Sequence, residues 1–123
     1  MSFGAQIAAF AKRTNRDADK TVRAVLISMT DSVILRTPVD TGRARANWFA
    51  TVDSPARSTT ESNDTSGQGA IAAAQPAIAA APGRVWFLAN NLPYISELEH
   101  GSSTQAPGGM VRLTILEIKR RIT

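Results

Sequence analysis

His100 is the only histidine in the chain, and Glu97 and Glu99 lie within one helical turn of it. Imidazole and carboxylate groups are the donors a zinc or other transition-metal site would use. The spacing works against that use, because residues one or two apart on a helix face different directions. No second cluster of ligands occurs elsewhere to complete a tripod. The ordinary place for such a histidine is a helix C-terminus, where the dipole favours positive charge. Ser96, Ser102 and Ser103 are close in sequence, but none sits in the Gly-x-Ser-x-Gly elbow that exposes a nucleophile. SGQGA (66–70) has two glycines, yet it lacks the Gly-Lys-Ser/Thr ending of a phosphate loop and reads as a hinge. The absence of cysteine excludes disulfides and thiolate metal sites. The sequence therefore predicts no catalysis, no cofactor and no metal.

Arginine offers a different chemistry. In TPVDTGRARANWF (37–49), Arg43 and Arg45 follow a turn and precede Phe49. Basic and aromatic side chains on one face could serve a nucleic-acid surface, or a face that docks on other protein subunits. The wider charge pattern leaves both open. Residues 1–46 hold eight basic and four acidic side chains, and the remainder holds six of each, so the net +4 belongs to the first third.

These residues need elements to position them. A chain of 123 residues predicts a single domain, 1–123, with a modest and alanine-rich core. Ile7, Phe10, Ala11, Thr14, Ala18, Val22, Val25, Leu26, Met29 and Val33 recur at helical steps and predict one long helix over 3–36. At 1.5 Å per residue it is about 50 Å long, so part of it must project or lie on a neighbour. Lys12, Arg16, Lys20 and Arg23 form a basic line on it, and Arg13–Asp17 and Asp19–Arg23 have ion-pair spacing. Pro38 stops the helix, and Pro38, Asp40, Thr41 and Gly42 have turn chemistry. From Arg43 the pattern alternates, which predicts a strand with Ala44, Ala46 and Trp48 on one face and Arg43, Arg45 and Phe49 on the other.

Residues 54–68 are polar and read as a flexible loop. An alanine-rich helix follows over 69–81, with Pro76 expected to split or kink it. RVWFLAN (84–90) reads as a second strand, inner or at an interface because both faces are apolar. Asn90-Asn91-Leu92-Pro93 forms a turn into a short helix from Tyr94 to His100, which Gly101 ends. A loop over 102–109 leads to a last helix, Met110 to Ile122, whose final turn carries Lys119, Arg120 and Arg121. The N-terminus lacks the pattern of a signal peptide. The longest apolar run, 70–82, is too short to span a bilayer, so no membrane partner is expected.

Three stretches together resemble the tail-completion, or head–tail joining, proteins of long-tailed bacteriophages and prophages. They are TPVDTGRARANW (37–48), PGRVWFLANNLPYISELEHG (82–101) and SSTQAPGGMVRLTILEI (102–118). The residues that carry the likeness are Pro38, Asp40, Thr41, Gly42 and Arg43; Asn90, Asn91, Pro93 and Tyr94; Glu99 and Gly101; and Gln105, Ala106, Pro107, Gly109, Met110, Val111 and Arg112. The likeness spans nearly the whole chain and is weakest over 53–75. His100 departs from the pattern and receives no role.

The resemblance implies an α+β fold in which the long first helix and the last helix pack on a small, mainly antiparallel sheet. It implies a structural virion protein of the neck, made in the host cytoplasm and carried at the head–tail interface. Its partners would be copies of itself in a ring, typically of six, the head connector or adaptor, and the tail terminator or tube. DNA would pass through the ring unread. Arg43, Arg45, Phe49, Trp86, Tyr94, Glu97, Glu99 and Arg112 are the candidate contacts to subunits or partners. Arg43 and Arg45 are expected to point away from the first helix, toward an acidic neighbour or the channel. Reversing both charges would then block assembly and leave the subunit folded. A small basic DNA-binding protein is the competing reading, and a metalloenzyme centred on His100 is a third.

Overall fold

The computed structural model describes residues 3–100 and 108–122. The elements are α1 (Phe3–Arg36), α2 (Arg43–Ala46), β1 (Phe49–Val52), α3 (Gln68–Ala80), β2 (Trp86–Ala89), α4 (Ile95–Glu99) and α5 (Met110–Ile122). The fold is α+β: β1 and β2 pair antiparallel, with Phe49 opposite Ala89 and Val52 opposite Trp86. Helix α3 covers β1 and also touches α1, while α5 lies along α1.

The core forms where these layers meet. Val33, Ile34, Trp48, Ala70 and Met110 are buried together, with Leu88, Ile95 and Leu98 around them. On α3, Ala70, Ala74, Ile78 and Ala81 are buried at near-helical spacing, and the small alanines allow a close approach. α1 and α5 run antiparallel, because Arg121 reaches Ser28 at one end and Glu117 reaches Arg36 further along. Glu117 accepts from Arg36 at 2.8 Å and from Arg121 at 2.6 Å, so one carboxylate ties the two helices. Such partly exposed pairs are each worth up to about 1 kcal/mol.

Only the C-terminal part of α1 is packed in this way. Arg23 donates from Nε to the Ala79 carbonyl at 3.3 Å, where α3 ends. Ahead of Arg23, the side chains described are exposed apart from a half-buried Asp19. Val22, placed by its spacing on the apolar face, is 41% exposed. The projection expected from the helix length is present. Ile7, Phe10, Ala11, Thr14 and Lys12 have side chains outside the described set.

Three elements differ from the sequence reading. The strand predicted from Arg43 begins at Phe49, and Arg43–Ala46 is instead one helical turn. Ala46 N donates to the Gly42 carbonyl at 3.0 Å to close it. Arg-Ala-Arg-Ala alternates only because alanine counts as apolar, and both residue types favour helix. β2 is shorter than predicted. Asp53 turns the chain at φ 71°, and its ion pair with Arg84 closes that end of the ladder. Among the described residues β2 has one ladder neighbour, so it is not an inner strand. Pro76 lies inside an unbroken α3. Ala72 and Pro76 are both exposed, so the carbonyl freed by the proline can turn to water.

Gly42 has two reasons to be glycine. Its φ is 87°, and a Cβ there would lie 2.6 Å from the backbone of Asp64 and Thr65. Gly42→Ala should destabilise the fold by at least about 2 kcal/mol, from the left-handed backbone and the overlap together. At roughly 4 °C per kcal/mol, thermal denaturation should show a drop in Tm of about 8 °C or more.

Candidate assembly site around the turn after the first helix

A helix ends with unpaired carbonyls that need donors. At the end of α1 they are supplied locally and from the next turn. Thr37 Oγ1 donates to the Val33 carbonyl at 2.7 Å, and Thr37 N to Ile34 at 3.1 Å. Arg45 then donates from Nη2 to the Leu35 carbonyl at 2.8 Å, from Nε to Thr37 at 2.9 Å, and from Nη1 to Thr65 at 2.8 Å. Trp48 Nε1 donates to Thr37 Oγ1 at 2.9 Å, which fixes the indole against α1. Trp48 does pack on α1 as the sequence implied, but Arg45 does not point away. Its guanidinium is built into the helix end.

The polar segment read as a flexible loop is tied at several points. Asn47 donates to the Thr60 carbonyl at 2.9 Å and accepts from Thr60 N at 2.8 Å, so its amide pairs as a backbone strand would. Arg43 Nε reaches the same carbonyl at 3.4 Å. Asp64 N donates to Gly42 at 3.0 Å. The Asp64 carboxylate accepts from Gly67 N at 3.0 Å and Ala70 N at 2.9 Å, capping the start of α3.

The second stretch meets the first here. Asn90 donates to the Ala44 carbonyl at 2.9 Å, and Asn91 to Ala56 at 2.9 Å and Ser58 at 3.1 Å. Leu92 is buried, while Pro93 is exposed two residues before α4. Tyr94, at the start of α4, and Leu98 within it face Pro38, Asp40, Thr41, Gly42 and Arg43 across a cleft of about 230 Å³. Ligand pockets start near about 300 Å³, so this cleft suits one protruding side chain better than a small molecule.

The third stretch is anchored through Glu99. Its Oε1 accepts from Met110 N at 3.0 Å and Val111 N at 2.8 Å, and its Oε2 from Arg112 N and Nε, both at 3.1 Å. Arg112 also donates from Nη2 to the Glu99 carbonyl. The carboxylate thus caps α5 from outside that helix. Burial raises the Glu99 pKa, but the N–H groups of Val111, Arg112 and Met110 and the Arg112 side chain outweigh it and hold the carboxyl below its ordinary value. Gly109 has φ 82°, and a Cβ on it would overlap the Glu99 carbonyl and carboxylate. Gly101, Gln105, Ala106 and Pro107 lie outside the described residues.

Of the other candidate contacts, Phe49 and Trp86 are half-buried on the two-stranded sheet, and Glu97 is exposed. Trp86 Nε1 is shielded from solvent yet has no hydrogen-bond partner among the described residues. Val85 beside it is 62% exposed. His100 Nδ1 lies 2.7 Å from the Ser96 carbonyl, to which it donates, and 3.5 Å from Ser96 Oγ. With Nδ1 committed to a carbonyl, that nitrogen is no base for the serine. Among the described residues no group of three or more His, Asp or Glu is placed to hold a metal, and no helix is long and apolar enough to cross a membrane.

Thr37, Asn47, Asp64 and Glu117 were not singled out from the sequence. Asp64 alone left a readable signal, an acidic residue shortly before a helix start. No protein-family model, curated protein or solved structure matches the chain.

Arg45→Met should leave the part-buried Thr37 carbonyl without this donor, while the exposed Leu35 and Thr65 carbonyls turn to water, and cost about 1–2 kcal/mol in urea denaturation. Arg45→Lys should recover only part of that, because an ammonium lacks the planar fork. Reversing Arg45 therefore tests folding before it tests assembly. Glu99 gives a second prediction. A carboxyl with a depressed folded pKa stabilises above its unfolded value, near 4.5, and that contribution is lost as pH falls through the folded value. Glu99→Gln should cost about 1 kcal/mol at neutral pH and flatten the loss of stability as pH falls below the ordinary carboxylate value through the lowered folded one.

Proposed function

We propose that the chain is a structural subunit of the head–tail joint of a long-tailed bacteriophage. Copies form a ring, typically of six, between the head connector or adaptor and the tail terminator or tube. The ring bounds the channel through which DNA passes, and the subunit makes and breaks no bonds. The observation that carries this reading is the stretch of α1 ahead of Arg23, whose described side chains are nearly all exposed: a single helix that outreaches its own domain needs a neighbour. Two further features support it. The described parts of the three stretches that resemble joining proteins meet around α4. Val85, Leu113, Ile115 and Leu116 are large apolar side chains left 40% exposed or more, the kind of surface that a partner covers.

The competing reading, a small DNA-binding protein, draws on the exposed cations of α1 and predicts no place in a particle. Particles decide between them. Deleting the gene from its phage or prophage should yield filled heads and separate tails, and imaging of wild-type necks should show a closed ring of this chain. Joined, infectious particles made without it would overturn the proposal.

A further inference from the structure

The part of α1 that stands clear of the body presents Arg13, Arg16 and Lys20, all exposed. Their spacing of three and four residues puts them on one face, and Arg23 continues the row toward the body. Over 13–23 the row is about 15 Å long. Among the described residues none of these three side chains has an ion pair or hydrogen bond. The acids at ion-pair spacing are not used: Arg13 is not paired with Asp17, and Arg23 donates to the Ala79 carbonyl instead of Asp19. Cations at these spacings repel each other in water. Asp17 lies among these cations without closing an ion pair to any of them, so the row keeps a net positive charge.

We propose that this row binds the phosphate backbone of double-stranded DNA without reading base sequence. A straight line of point charges on a projecting helix matches an extended anion better than a compact acidic patch. No aromatic residue occurs between Arg13 and Arg23, so the stacking that single strands use is missing. Asp17 and Asp19 lie on the same helix and weaken the attraction for phosphate, so the contacts expected are few and strongly salt-dependent. The assignment rests on the reading above in naming DNA as the polymer the assembly encloses.

The test is fluorescence anisotropy of the purified chain with a labelled short duplex of mixed sequence. Three phosphate contacts give a log–log salt slope of about −3, so affinity should fall roughly 40-fold between about 50 and about 200 mM salt. The R13E/R16E variant should lose binding at the lower salt. Its helix content is checked by circular dichroism, and R13Q/R16Q, which places no new carboxylate beside Asp17 and Asp19, should lose binding likewise. A control with the same change in net charge as R13E/R16E, Arg57→Glu with Arg120→Glu, should keep most of the affinity; both arginines are exposed and lie outside the row. Unchanged binding by R13E/R16E, an equal loss in the control, or no wild-type binding at the lower salt overturns the assignment. Binding to poly-glutamate but not to duplex also overturns it and makes the row a protein-docking surface. The assay uses the chain alone, so its failure leaves the neck reading to be decided by the particles.

Discussion

The rest of the structure depends on how α1 is brought to an end. A helix of 34 residues arrives in a small domain with several unpaired carbonyls, and water cannot serve those that are buried. Thr37, itself fully buried, uses its N–H and hydroxyl on the last turn. The Arg45 fork takes two more carbonyls and a third from the segment leading into α3. One side chain thus joins the end of α1, the turn after it and the approach to α3. Charge-assisted bonds of this kind are stronger than neutral ones, and the three together fix the chain direction after Pro38. Trp48 closes the arrangement by bonding to the same Thr37 hydroxyl and filling the core beneath.

The same solution recurs wherever the sheet is too small to satisfy the backbone. A two-stranded sheet of four-residue strands is marginal by itself. Around it the chain runs through long irregular connections, and their backbone groups are met by Asn47, Asp64, Asn90, Asn91 and Glu99. Each carries a planar amide or carboxylate that stands in for a missing strand or helix turn. The fold is held less by a large apolar core than by a modest one sealed with specific polar contacts. Loss of one such contact leaves an unpaired buried group, which costs more than the contact itself contributes.

That logic explains what could be read from the sequence. α1 and α5 were legible to the residue, because helical periodicity persists over many turns and Pro38 marks a sharp stop. Gly42, Asn90, Asn91 and Gly109 were legible as turn residues. What they touch was not, because the partners are backbone groups distant in the chain: Asp64 for Gly42, Ala44 for Asn90, Glu99 for Gly109. α2 was misread as a strand since four alternating residues cannot separate a period of two from one turn of helix. Arg45 was expected to face outward because a strand would place it opposite the Ala44, Ala46 and Trp48 face. Only the geometry of the helix end shows why a planar fork of donors is used there. Glu99 and Arg112 were selected as contacts to partners, and the structure places both in an internal cap.

Stability is therefore distributed unevenly, and the unevenness has a direction. From Arg23 onward α1 is braced by α3, α5 and the Thr37–Arg45–Trp48 arrangement. Ahead of Arg23 the described side chains have almost no tertiary support, and a free helix of about that length is marginal in water. Like charges in its exposed row weaken it further. A partner that covers the apolar side or neutralises the cations stabilises the helical arm in the bound state alone, so ordering and binding become one event. The body of the domain does not share in that cost, because its own helix end is already satisfied. A subunit made this way can fold completely at one end and leave the other to be completed by whatever it meets.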